Sequence, residues 1–167
     1  MSATITTPRE LFLHELGDIL YVERALATEV LPGLIAEVQD EEFRRALEDH
    51  LAQTKGHVEN VERVFGEFDE EPEAETCVAF EGLKKEHAQL LAETSESLVD
   101  AVDLGAAVRT ESYEIAAYET LRRMAKALGE DKAVALLDDN LAQEKEALQL
   151  VEKIATRVSR EAAQAPA

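Results

Sequence analysis

Two carboxylates, Glu111 and Glu114, stand three residues apart in the stretch RTESYEIAAY, residues 109–118. The stripe through them reads Leu104, Ala107, Glu111, Glu114, Tyr118, Leu121, Ala125, Leu128. That alternating three–four spacing is the face a helix turns toward a bundle core. A carboxylate buried in such a face is costly unless it is paired or binds a metal. Three further stripes carry the same interruption. One runs Phe12, Leu16, Ile19, Glu23, Leu26, Val30. The next runs Leu47, His50, Thr54, His57, Val61, Val64, Phe68, with Gln53 at its edge. The last runs Leu137, Leu141, Glu144, Leu148, Val151, Ala155, Val158.

Carboxylates and imidazoles at mid-length on four inward faces suit a pair of iron or manganese ions. Such bundles use bridging carboxylates with terminal carboxylate or imidazole ligands. The full set is one Glu from each of two helices and Glu-x-x-His from each of the other two. Here helix two offers Thr54-Lys55-Gly56-His57, with a hydroxyl where the acid would stand. Glu144 is followed at the relevant spacings by Ala147 and Leu148, neither a ligand. The set falls short of a complete pair site, so one ion, two weakly held ions or none are all open. His50 and His57 lie about 10.5 Å apart along a helix axis, which separates them as ligands of one ion. Each also fits a core-edge histidine bonded to a glutamate. Tyr118 is one turn beyond Glu114; a packed tyrosine with a satisfied hydroxyl is its default. His14 and His87 show no partner set.

The elements that must carry these residues are helices. Thr7, Pro8 and Glu10 make a capping box with proline at the first helical position, opening a helix to about Val38. Pro32-Gly33 should kink or break it locally. Asp40 starts a second helix, with Glu41 and Glu42 in its first turn. The acidic segment FDEEPEAET is a solvated loop, and Cys77 to about Thr94 is a shorter helix. Asp100 is placed to cap the third long helix, which ends at Gly129, and the last runs from about Asp131 to Val158. The expectation is an all-α, ferritin-like four-helix bundle, with an additional short helix in the long connection between helices two and three. It forms one domain over residues 7–158, between flexible tails at 1–6 and 159–167.

Composition narrows the function classes. The chain has 167 residues, 46% apolar and 32% charged, with a net charge of -19. That field repels phosphate, which argues against nucleic acid and anionic membrane surfaces as partners. A single cysteine, Cys77, excludes an intramolecular disulfide. With no apolar signal core or spanning run, the expected compartment is the cytoplasm.

The stretches ELGDILYVERAL, EDHLAQTKGHVENVERVF, CVAFEGL, ESYEIAAYETL and LLDDNLAQEKEAL make the chain resemble the YciF-like stress-response proteins of bacteria, a ferritin-like family related to rubrerythrin. The resemblance covers roughly Leu11 to Ala155 and implies a four-helix bundle with a short extra helix, a homodimer and a di-metal centre. Carried onto this sequence, it places Glu23, His50, Glu111, Glu114 and Glu144 at positions the family usually keeps. Gln53 replaces an acid common in the family, Ser112 a histidine and Leu148 an aspartate. His57 stands where glutamine is frequent and restores an imidazole. The implied chemistry is redox work on peroxide or dioxygen, or iron handling without catalysis. The rival is a non-enzymatic dimeric stress protein whose Glu and His side chains close a metal-free polar network.

Overall fold

A computed structural model describes residues 4–164 of the chain. The capping box forms as the sequence predicts. Thr7 Oγ1 accepts the Glu10 N–H at 3.1 Å and Glu10 returns a carboxylate to the Thr7 N–H at 3.0 Å. Helix α1 spans Pro8–Ala25 and α2 spans Leu31–Glu37. Between them Leu26–Val30 makes a π-helical turn, closed by the Leu31 N–H on the Leu26 carbonyl. Pro32 causes it: a proline ring presses on the carbonyl four residues back, and the wider turn relieves that contact without ending the helix. Asp40 caps α3, Glu41–Glu67, accepting the Phe43 N–H at 2.9 Å. Helix α4, Val78–Ala92, lies in the long connection. A short 3-10 turn, Glu96–Leu98, leads into α5, Val99–Leu128, and α6 spans Asp131–Gln164. Gly129 closes α5 with φ 84°, a left-handed geometry that only glycine adopts without penalty.

Two details depart from expectation. Asp100 lies inside the first turn of α5 and does not cap it. Its carboxylate instead accepts the N–H groups of Gln39, at 3.0 Å, and Asp40, at 2.8 Å, tying the crossover to the start of α3. The other difference is that α6 continues past Val158 through Gln164, into the segment expected to be a loose tail. Arg157 and Glu161, one turn apart at 3.1 Å, support that extension.

α1 packs against α3 and α5, and α6 packs against the same two, while α4 covers α5. This closes a four-helix bundle with one long crossover, the connectivity of ferritin-like folds. The crossover lies directly on α1 at Gly17, where a Cβ would stand 3.0 Å from the Glu73 carbonyl. One end of the core holds Phe12, stacked on Phe68 at 4.5 Å, with Leu16, Val64, Phe65 and Leu137. The other holds Leu47, Leu104, Val151 and Ile154. Between these apolar ends lies a polar layer in which Glu23, Thr54, Glu114, Asn140 and Glu144 are each 0% exposed. No helix among the described residues is long and apolar enough to cross a membrane.

Candidate metal centre

Each long helix delivers its in-stripe residues to this layer. Glu23 comes from α1, His50 and His57 from α3, Glu111 and Glu114 from α5, and Glu144 from α6; all six are buried. They fall into two groups. His50, Glu111, Glu114 and Glu144 each offer a donor atom within 4.8 Å of the others, and so do Glu23, His57 and Glu144. That span is what one ion at about 2.1–2.4 Å from each ligand would bridge. Both groups could hold a metal ion, and Glu144 belongs to both.

The histidines separate as their axial spacing requires. His50 Nε2 lies 3.2 Å from Glu111 Oε1. His57 Nδ1 lies 2.8 Å from Glu144 Oε1 and 3.4 Å from Glu23 Oε1. Both rings turn into the layer, which brings their centroids to 6.2 Å.

A supporting network surrounds them. Tyr118 donates its hydroxyl to Glu23 Oε1 in a short hydrogen bond. Asn140 donates to the Tyr118 hydroxyl at 3.0 Å and to the His57 carbonyl at 3.3 Å, and accepts from Asn60 at 2.8 Å. Gln143 Oε1 meets His57 Nε2 at 3.0 Å, a contact that orients an imidazole. Asn140 and Gln143 were not singled out in the sequence. Asn140 carries a readable signal, an amide between Leu137 and Glu144 on one helix face. His14 and His87 do find partners, Glu75 at 2.8 Å and Asp103 at 2.7 Å, both on segments that only the fold brings near.

The layer is under-satisfied. Both oxygens of Glu114, both of Glu144, Oε2 of Glu23 and of Glu111, and Nδ1 of His50 and of His57 are buried without a hydrogen-bond partner, although His57 Nδ1 and Glu144 Oε1 face each other as an ion pair. Such atoms ordinarily find one. Burial, with Glu144 and Glu23 nearby, pushes Glu111 and Glu114 well above the usual carboxylate range. Burial also raises Glu23, against the pull of His57. For Glu144 burial is outweighed by His57 and Glu111, and its pKa falls. Burial would lower His57 too, yet the Glu144 and Glu23 carboxylates push it up to about 10. Burial dominates at His50 and lowers it. The unpartnered oxygens and the carboxylate–imidazole donor set fit a metal ion.

Residues 7–164 match the family model described as a domain of unknown function, DUF892. The chain belongs to that family. It is similar to the protein YciF of Escherichia coli strain K12, 36% identical over 141 residues that cover 83% of this chain and 84% of the relative. The crystal structure of the E. coli stress protein YciF superposes with a TM-score of 0.86 at 30% identity, covering 93% of this chain and 99% of that one. YcfI of Rhodopseudomonas palustris superposes equally well, TM-score 0.86 at 33% identity, over 91% and 97% of the two chains. These likenesses bear out the resemblance to YciF-like stress proteins and the helical fold.

Proposed function

We propose that this chain is a ferritin-like stress protein that holds two iron or manganese ions inside its bundle and uses them on peroxide or dioxygen. The observation that carries the reading is the sharing of Glu144 between the two donor groups. One carboxylate with an oxygen toward each group suits a bridge between adjacent cations. Charge supports it: the carboxylates of Glu23, Glu111, Glu114 and Glu144 balance two divalent ions when both histidines are neutral. Without ions the same layer is left with unpartnered oxygens, which burial makes costly.

Bound iron or manganese would supply one-electron redox chemistry. The protein's own part is positional. Glu23, His57 and Glu144 would hold one ion; His50, Glu111, Glu114 and Glu144 the other. Tyr118 fixes Glu23 and is itself fixed by Asn140, so the α1 ligand is held in one orientation. The apolar ends of the bundle close the layer along the helix axes. Metal ligation would need His57 without the proton that the Glu144 and Glu23 carboxylates favour, so loading would release acid.

The competing reading, a metal-free polar network in a structural protein, is favoured by the ion pair of His57 with Glu144 at 2.8 Å and by the hydrogen-bonded chain Asn60–Asn140–Tyr118–Glu23. It leaves Glu114 unexplained, because neither of that side chain's oxygens has a partner. Elemental analysis of protein purified without chelator and then incubated anaerobically with iron(II) or manganese(II) decides between them. The expected content is about two ions per chain, falling to about one on Glu111→Ala and to almost none on Glu144→Ala. Wild-type protein that stays metal-free overturns the centre.

A further inference from the structure

The departure of α6 from the full ligand pattern has a spatial consequence. A Glu-x-x-His helix would place histidine three residues after Glu144, and Ala147 stands there. Beside this short side chain a cleft of about 180 Å³ opens between α3, α5 and α6. Its floor includes His50 and Glu111, 6% and 5% exposed. His50 Nδ1 and Glu111 Oε2 have no hydrogen-bond partner. At its mouth stand the exposed acids Asp49 and Glu146, and no cationic side chain lines it.

A second groove reaches the same pair from the side of α2 and α4. It is smaller, about 60 Å³, its walls include Leu31, Leu34 and Leu83, and Lys84 and the Arg109–Glu86 ion pair line it. Size and charge separate the two. A cavity needs about 10–15 Å³ to hold even one water. The acidic cleft therefore has room for about three times as much water as the apolar groove. A divalent cation keeps a shell of about six.

We infer that the cleft between Asp49 and Glu146 is the path by which a divalent cation enters the centre. This rests on the metal-centre reading. The two acids draw the hydrated ion in, and Glu111 and His50 are the donors it meets on shedding water. Glu144 Oε2, 3.9 Å from His50 Nε2, lies next in line.

The test follows cobalt(II) uptake by the metal-free full chain in a stopped-flow spectrometer at low ionic strength. Asp49→Asn with Glu146→Gln should slow uptake about tenfold, at the low end of electrostatic steering, with final stoichiometry unchanged. Glu71→Gln with Glu93→Gln removes the same charge from exposed sites elsewhere and should change the rate less than about twofold. Salt at about 0.5 M should erase the difference. Lys84→Gln with Arg109→Gln should leave the rate within about twofold, since their groove is not the path. Equal rates in wild type and the Asp49/Glu146 variant overturn the route. So do equal slowing by the control pair, acceleration by the Lys84/Arg109 pair, or a loss of stoichiometry in place of rate. A wild-type chain that takes up no cobalt overturns the metal centre itself, and the route with it.

Discussion

His57 Nδ1 lies 2.8 Å from Glu144 Oε1, while the other oxygen of Glu144 stands 3.9 Å from His50 Nε2. One carboxylate on α6 thus joins histidines about two turns apart on α3. The glutamates are therefore unequal. Glu144→Ala removes a donor from both groups and Glu23→Ala from only one. Metal analysis after loading with manganese(II) and desalting should give almost none for the first and about one ion per chain for the second. Equal losses would refute the shared role of Glu144.

The Tyr118 hydroxyl is the link between Glu23 and Asn140. Tyr118→Phe leaves both side chains buried and short of a partner, at a cost of about 1–3 kcal/mol. Urea unfolding of chelator-treated protein should show this as a lower midpoint with the slope unchanged. Phenylalanine as stable as tyrosine would mean that the network contributes nothing to the fold.

Glu114 should trade stability for binding. Burial and the nearby Glu144, Glu23 and Glu111 carboxylates raise it well above its unfolded value, which is about 4.3. A carboxyl raised in the folded state binds more protons folded than unfolded, so stability falls as pH rises above the unfolded pKa. Glu114→Gln removes that penalty. In chelated protein at pH 7 it should raise stability by roughly 1 kcal/mol or more and flatten the decline between about pH 5 and 7. The same substitution should weaken metal binding. Thermal melts with and without manganese(II) read both effects; a variant destabilised in both conditions would contradict the argument.

Asp40 has the opposite sign. Burial would raise its pKa, but the Arg157 guanidinium, bound at 2.8 and 2.7 Å, and the Phe43 N–H hold it below the usual range. Its contribution is present above the unfolded pKa of about 3.9 and lost as pH falls through the lower folded value. Asp40→Asn keeps an N-cap acceptor and loses the ion pair. It should cost about 1 kcal/mol at pH 7 and nearly nothing near pH 2. A difference that persists in acid would mean that the ion pair is not its source.

The stripes were legible because a helix that faces a core must repeat apolar residues at its own period, and a carboxylate in that register stands out. Glu23, Glu111, Glu114 and Glu144 were found that way, and all are buried in one layer. The helix starts at Thr7 and Asp40 were legible for a local reason: a cap and its N–H lie three residues apart. Asp100 misled because its acceptors serve Gln39 and Asp40, about sixty residues away in the chain.

What the sequence determined by itself was therefore local and periodic: four long helices, a short one, and four in-stripe acids spread over three of the long helices with two histidines on the fourth. Only the tertiary structure decided how these side chains combine. Their helices meet from positions far apart in the chain, and the direction each ring or carboxylate takes depends on its neighbours across the core. That geometry sets Glu144 between the His50 and His57 groups and ties Tyr118 to Glu23. It also leaves a cleft where Ala147 stands, because space in a packed core is a property of several helices together.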